Sequence, residues 1–229
     1  MTSTPPESPN TGRDPYAPAE IAHMVENIGV RKANLPLLPL VILGILAGAF
    51  IAFGAMFFTL SITGSTLGFG PTRLIGGLVF SLGLILVIIA GAELFTGNNL
   101  IVTAWADRKV TSLQLLRNWV IVYIANFIGA GATAVMIFWS GSLGLGDGAV
   151  AETAVAIATG KVSMPWFEAF VRAILCNALV CLAVWLSMSA HRVTGKILAI
   201  VFPITAFVAL GFEHSVANMY LLPLGWLLG

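Results

Sequence analysis

Charged residues are scarce in this chain. They make up 9% of its 229 residues, and hydrophobic residues make up 58%. In soluble globular domains about a quarter of the residues are charged, so this composition is typical of a protein that crosses a membrane several times. The 11 basic and 10 acidic residues leave a formal net charge of +1 and form no basic stripe. We therefore expect no nucleic-acid partner.

Cysteine and histidine are also rare. The two cysteines, Cys176 and Cys181, lie five positions apart in one apolar segment. On a helix they point in different directions, which fits neither a disulfide nor a metal site. His214 is the one histidine at expected membrane depth, whereas His23 and His191 fall in a tail and a loop. Without a ligand cluster or a nucleophile constellation, we expect no cofactor, no metal and no enzymatic activity.

Long hydrophobic runs dominate the rest of the chain. Five of them exceed the ~20 residues that a bilayer core requires, namely 37–63, 72–105, 113–140, 165–190 and 196–227. The second and fifth are too long, because a continuous helix would reach about 50 Å against a hydrocarbon core of about 30 Å. Each contains a Gly-x-Glu string, Gly91-Ala92-Glu93 and Gly211-Phe212-Glu213. We interpret both as broken helices with non-helical backbone near the membrane centre.

The order of the runs predicts an inverted repeat. The first three form one set, and the fourth and the broken fifth begin a second set in the opposite direction. We therefore predict an all-α polytopic membrane domain over residues 37–229. The repeat also predicts a sixth span, which is absent from this sequence, so we expect the sequence to be a piece of a longer protein. A true end here would leave one wall of a pore missing.

Residues 1–36 form a polar, proline-rich tail without the apolar core of a signal peptide. Within it, residues 18–31 place Ile21, Met24, Val25 and Ile28 at helical spacing after Pro18. This amphipathic helix either gates the inner mouth of the protein or anchors the tail on the membrane surface. The sequence pattern favours neither role over the other.

Basic residues predict the orientation. With a cytoplasmic N-terminus, only Arg73, Lys161 and Arg172 fall outside. Eight others then fall inside, which is the usual bias: Arg13, Arg31, Lys32, Arg108, Lys109, Arg117, Arg192 and Lys196.

Polar residues near the two breaks are the candidate site. His214, with a reference pKa of about 6.5, carries or lends a proton near neutral pH, or else is a hydrogen-bonded structural residue. We predict that Glu93 and Glu213 cap backbone N–H groups of the half-helices, and that Glu213 also tunes His214. Thr96 and Asn177 either donate hydrogen bonds to an anion or hold the loop backbone.

Six apolar residues lie near the breaks and either pack in the core or form hydrophobic constrictions that exclude hydrated ions. They are Phe80, Leu84, Leu94, Phe95, Val180 and Phe207.

Two strings are the most specific feature of the chain. They are Gly91-Ala92-Glu93-Leu94-Phe95-Thr96 and Gly211-Phe212-Glu213-His214-Ser215-Val216-Ala217-Asn218-Met219. Together with Asn118-Trp119 and the stretch from Cys176 to Trp185, they resemble the formate/nitrite transporters. The resemblance covers residues from about Gly29 to Gly229.

The resemblance implies a homopentamer of aquaporin-like protomers in the bacterial inner membrane, each passing small monovalent anions such as formate or nitrite. It assigns the pore centre to His214, Thr96 and Asn177, with Glu93, Glu213 and Asn218 in support. It assigns an outer constriction to Phe80, Leu84 and Phe207, and an inner one to Leu94, Phe95 and Val180. Lys161 matches a basic residue that attracts anions at the outer vestibule.

Several alternatives remain open from the sequence. Formate with proton-linked passage is our first reading, but Gly97-Asn98-Asn99 after Thr96 leans towards the nitrite branch, and hydrosulfide or lactate is a further substrate within the family. A water or glycerol channel is disfavoured because paired Asn-Pro-Ala strings are missing. A non-transporting receptor or assembly subunit is the alternative from another class.

Overall fold

The computed structural model describes residues 16–229, so the first 15 residues of the predicted tail lie outside the described part. The described chain is helical, with a single 3₁₀ turn at Ser142–Gly144. The α-helices are α1 Pro18–Ala33, α2 Leu37–Ile62, α3 Phe69–Ala90, α4 Phe95–Asn98, α5 Ile101–Ala106, α6 Ser112–Trp139, α7 Ala149–Val162, α8 Trp166–Met188, α9 Val193–Leu210 and α10 Ser215–Leu228.

Five of these helices are long and apolar enough to cross a membrane: α2, α3, α6, α8 and α9. Both overlong hydrophobic runs are interrupted, as the bilayer thickness predicts. The first run divides into α3, α4 and α5, and the second into α9 and α10. The spans and breaks of the predicted fold are therefore confirmed. Helix α7 was not predicted, because its 14 residues are too short for a span and too alanine-rich for a clear apolar face.

The two breaks begin with the same backbone conformation. Gly91 and Gly211 end their helices in the left-handed region, at φ 77° and ψ 31° and at φ 74° and ψ 30°. The N–H group two positions after each helix end bonds back to a carbonyl, Ala92 to Val87 at 2.9 Å and Phe212 to Phe207 at 3.0 Å. This helix-ending motif favours glycine, which explains why each string begins with it.

Helix α2 packs between α6 and α3, and α9 packs between α3 and α8. Small residues set the distance between α2 and α6. A Cβ atom on Gly48 would lie 2.1 Å from the carbonyl oxygen of Asn126, and one on Gly129 would lie 1.9 Å from that of Ile45. Because no side chain fits there, the two backbones are in direct contact.

Helix α1 lies against α5, α6 and α8. Ile21 and Val25, two of the predicted apolar positions, are buried against them. Lys109, after α5, donates a hydrogen bond to Glu26 at 2.6 Å and adds an ionic contact to this helix. The helix is therefore docked on the protein over most of its length, with the opposite face exposed.

Large apolar side chains cover the outside of the helix assembly. Phe69 is 84% exposed and Trp139 is 77% exposed, and many residues of α2, α6 and α8 are similar. Exposed apolar surface on this scale is normal only against lipid or another protein subunit.

Candidate functional site

His214 lies where the two breaks meet. It is the last residue before α10, and its Nδ1 accepts a hydrogen bond from the backbone N–H of Ala217 at 3.1 Å. Its Nε2 lies 3.2 Å from the hydroxyl oxygen of Thr96, which belongs to the first break. Both side chains are 3% exposed. Because Nδ1 is an acceptor, the imidazole is neutral and carries its proton on Nε2, directed at Thr96.

Two phenylalanines close one side of this pair. The Phe207 ring stacks on the imidazole with centroids 5.6 Å apart, and Phe80 lies edge-on to Phe207 at 5.6 Å. The three rings form one wall of a cavity of about 250 Å³, which we call the α7 cavity. Its other lining includes Arg73, Ile157, Gly160, Lys161, Arg172, Gly211 and Glu213.

A second cavity, of about 520 Å³, lies on the opposite side, and we call it the α1 cavity. Helix α1 contributes Val25, Ile28, Gly29, Arg31 and Lys32 to its wall, and the first break contributes Ala92, Glu93 and Leu94. The two cavities share no lining residue. The buried pair of His214 and Thr96 lies between them.

The residues of the expected constrictions lie in different surroundings. Leu84 lines the α1 cavity together with Leu94, whereas Phe80 and Phe207 line the α7 cavity. It follows Phe80 by about one turn of α3 and is therefore nearer the first break. Phe95 lines neither cavity, because its ring packs against Trp119 and Tyr123 of α6, with centroids 6.4 and 5.0 Å away.

Val180, the remaining residue of the expected inner constriction, is 1% exposed and belongs to the main hydrophobic core. It lines neither of the two cavities.

The prediction that the two glutamates cap backbone N–H groups is wrong. Glu93 accepts hydrogen bonds from Lys32 Nζ and Asn98 Nδ2, both at 2.7 Å. Glu213 accepts from Lys161 Nζ with both oxygens, at 2.9 and 2.7 Å, and from Asn218 Nδ2 at 2.8 Å. A lysine from a distant part of the chain and an asparagine five residues further on donate to each carboxylate.

Asn126 supplies hydrogen bonds to the backbone of the first break. Asn126, fully buried on α6, accepts from the N–H of Phe95 at 2.9 Å and donates to the carbonyls of Gly44 and Glu93 at 2.7 and 2.9 Å. Asn126 was not among the predicted site residues, although an asparagine within an apolar span is a signal of such a role.

Two arginines donate hydrogen bonds to the free backbone carbonyls at the second break. Arg73, on α3, donates from Nη2 to the carbonyl of Val208 at 2.6 Å and from Nε to that of Ala209 at 3.1 Å. Arg172, on α8, donates from Nη1 to the carbonyl of Gly211 at 3.0 Å. From the sequence, both arginines predict only the orientation, because their carbonyl partners are far away in the chain.

Asn177 lies beside the first break without a hydrogen bond to His214. Its Nδ2 contacts Cys181 Sγ at 3.7 Å, and that thiol donates to the carbonyl of Thr96 at 3.5 Å. Its Oδ1 is buried and has no hydrogen-bond partner among residues 16–229. The structure therefore connects Asn177 to Thr96 through Cys181.

Comparison with known proteins agrees with this arrangement. The family profile described as formate/nitrite transporter matches residues 19–229. A protein named formate channel FocA, from Haemophilus influenzae, is 44% identical over 209 residues, which cover 91% of this chain and 74% of that protein.

Two solved structures are similar in fold. One, titled pentameric formate channel with formate bound, gives a TM-score of 0.76 at 36% identity and covers 82% of this chain and 74% of that one. Another, titled FNT family ion channel, gives a TM-score of 0.80 at 29% identity. The match covers 91% of this chain and 83% of that one. The profile match extends over nearly all of the described helices, and on this evidence the chain belongs to the formate/nitrite transporter family.

Proposed function

We propose that this protein is a membrane channel for small monovalent anions and that formate is its main substrate. The observation that carries the proposal is the contact between His214 and Thr96, which joins the two helix breaks between two separate cavities. Phe80 and Phe207 on one side, and Leu84 and Leu94 on the other, leave the pair as the polar centre of an apolar path. Similarity to proteins named as formate channels supports the choice of formate.

The imidazole offers an anion one strong contact. In the neutral tautomer, the Nε2–H group is free to exchange Thr96 Oγ1 for a carboxylate oxygen, which is the stronger hydrogen-bond acceptor because it is ionised. Hydrophobic constrictions on both sides force the anion to lose its water before it reaches this donor. A bare charge in such surroundings is costly, so passage requires compensation.

A proton provides that compensation. When His214 takes up a second proton on Nδ1, its bond to the Ala217 N–H group is lost, and the imidazolium forms a neutral pair with the anion. The imidazolium gives its Nε2 proton to the carboxylate, neutral formic acid passes the apolar rings, and His214 is left neutral with its proton on Nδ1. Since this state requires protons, formate flux is expected to rise as the pH falls.

The experiment compares formate uptake into proteoliposomes at acid and neutral pH for three proteins. The native protein should show faster uptake at acid pH. His214→Asn keeps an acceptor that can cap Ala217 but cannot titrate, so its uptake should lose this pH dependence. His214→Phe removes both the cap and the donor, and should lose most of the flux. If His214→Asn retains the full pH dependence, the histidine does not carry the proton.

The same assay tests the substrate and its alternatives. Formate, nitrite and hydrosulfide are presented singly to the native protein, and the fastest uptake per imposed gradient identifies the preferred anion. Absence of flux for all three, in a preparation shown to be folded, would instead support a receptor or assembly subunit.

We further propose that the protein acts as a homopentamer in the bacterial inner membrane with a cytoplasmic N-terminus. The exposed apolar residues on the outside of the helices supply the surface for neighbouring protomers and lipid. Chemical cross-linking in membranes should give a ladder that ends at five copies. A protease-sensitive tag at the N-terminus should be cut in inverted membrane vesicles and protected in intact cells.

A further inference from the structure

Three cations surround the α7 cavity: Arg73, Lys161 and Arg172. Glu213 is the carboxylate among the described residues that line it, and both of its oxygens are bonded to Lys161. Lys161 is therefore paired within the cavity wall. Arg73 has no acidic partner among the described residues, and Arg172 pairs with Glu168, which is 46% exposed and does not line the cavity, so most of the positive charge at the cavity comes from the two arginines.

The two guanidinium groups converge on one point. A Cβ atom placed on Gly211 would lie 3.1 Å from Arg73 Nη2 and 3.4 Å from Arg172 Nη1. The groups come from different helices, α3 and α8, and carbonyls at the end of α9 hold both in place. Two like charges fixed this close repel each other, and an anion between them would remove the repulsion.

Both arginines keep donors for a ligand. Arg73 uses Nε and Nη2 for backbone carbonyls, and its Nη1 has no hydrogen-bond partner within the described part of the chain. Arg172 uses Nη1 for Gly211 and Nη2 for Glu168, a neighbour on α8 that is half exposed. Its Nε is likewise without a partner among these residues.

We propose that Arg73 and Arg172 form an anion-binding subsite at the mouth of the pore, which captures a small planar carboxylate or nitrite before it passes Phe80 and Phe207. Guanidinium groups bind planar oxyanions with two parallel N–H bonds, whereas a spherical halide or hydrosulfide receives no such match. The subsite opens into the same cavity that His214 lines. It therefore supplies captured anions directly to the pore centre.

The proposed subsite affects how anions are captured. Its flux tests rest on the proposed channel function, whereas its binding test does not. It predicts that Arg73→Gln and Arg172→Gln raise the formate concentration needed for half-maximal uptake about tenfold, the usual effect of losing a charged hydrogen bond. Both arginines also bond carbonyls of the second break, so uptake is expressed per folded protein and the half-saturation concentration is the readout. Arg73→Lys keeps the charge without the planar fork and should give an intermediate value.

The side of the membrane provides the sharpest control. The effect should occur only when formate is presented from the α7 side, in oriented vesicles or cells. Lys196→Gln removes one positive charge from the α1 cavity instead, and should leave half-saturation from the α7 side unchanged. A rise of equal size from both sides for Arg73→Gln, or no rise at all, would overturn the subsite.

A binding measurement separates this inference from the channel proposal. A ligand that binds the folded protein raises its unfolding temperature, so formate or nitrite should stabilise the purified native protein whether or not it conducts. The shift should be lost in Arg73→Gln and Arg172→Gln, and chloride should give a smaller one. If the arginines serve only the backbone of the break, both variants will unfold earlier but retain the full formate-dependent shift, and the subsite is then rejected.

Discussion

Lys32 Nζ lies 2.7 Å from Glu93 Oε1 and so ties α1 to the first helix break. Lys161 makes the equivalent contact with Glu213 at the second break, also at 2.7 Å. In both, an asparagine five residues after the glutamate donates to the same carboxylate. The two halves of the repeat thus stabilise their breaks with the same three residue types, although each lysine comes from a different part of the chain.

The first of these ion pairs is expected to stabilise the docking of α1. Lys32→Met leaves Glu93, which is 4% exposed, with a charge that Asn98 alone must balance. Breaking a buried pair from one side costs about 3–5 kcal/mol, and the 26% exposure of Lys32 puts the expected loss near the lower end. Adding Glu93→Gln should recover part of the loss. Unfolding of the purified protein measures all three variants as a double-mutant cycle.

Lys109 offers a matched control for this cycle. It also contacts α1 through an acidic residue, Glu26, but is 43% exposed. Lys109→Met should be nearly neutral for stability, because an exposed ion pair contributes little. If Lys32→Met lowers the stability no more than Lys109→Met does, the buried pair of Lys32 and Glu93 does not hold α1 in place.

Two glycines close together on α6 make a matched pair for helix packing. Gly129→Ala places a methyl group 1.9 Å from the carbonyl oxygen of Ile45, so α2 and α6 must move apart. Such overpacking costs about 1–3 kcal/mol. Gly131→Ala meets nothing within 4 Å and should stabilise the helix by up to about 1 kcal/mol. The two unfolding temperatures should move in opposite directions, and equal values would contradict the direct contact of the two backbones.

Spans and breaks could be predicted because the bilayer constrains them. A run such as 72–105 is too long for one crossing, and the glycine at position 91 marks where the helix ends. The contact of Thr96 with His214 was accessible only through family resemblance, since 118 residues separate them. Hydropathy indicates depth in the membrane but not which side chains meet there.

The roles of the glutamates could not be predicted from their own surroundings. A carboxylate before a half-helix is a reasonable cap, but Lys32 lies 61 residues before Glu93 and outcompetes the local N–H groups. His214 caps α10 instead, because its Nδ1 accepts a hydrogen bond from the backbone N–H of Ala217. The sequence pattern also did not show that Leu84 lines the α1 cavity while Phe80, one helical turn earlier, lines the α7 cavity.

Asn126 provides a direct test of how the first break is held. Asn126→Ala removes partners from one N–H group and two carbonyls in a buried region. Each unsatisfied group costs about 1–3 kcal/mol, so we expect a large loss of folded protein. Asn27→Ala, on the exposed face of α1, is the control and should be nearly neutral. Gel filtration and thermal unfolding give the comparison, and a fully stable Asn126→Ala would show that the break holds without it.

Tyr220 carries a polar atom that the fold does not use. The residue is fully buried on α10, and its hydroxyl has no hydrogen-bond partner among the described residues. A buried hydroxyl without a partner is destabilising, so Tyr220→Phe should raise the unfolding temperature or leave it unchanged. Tyr123→Phe, at a position 43% exposed on α6, should have no effect. A clear loss of stability in Tyr220→Phe alone would mean that a buried water bonds the hydroxyl inside the protomer, and would contradict the view that this polar atom is unused.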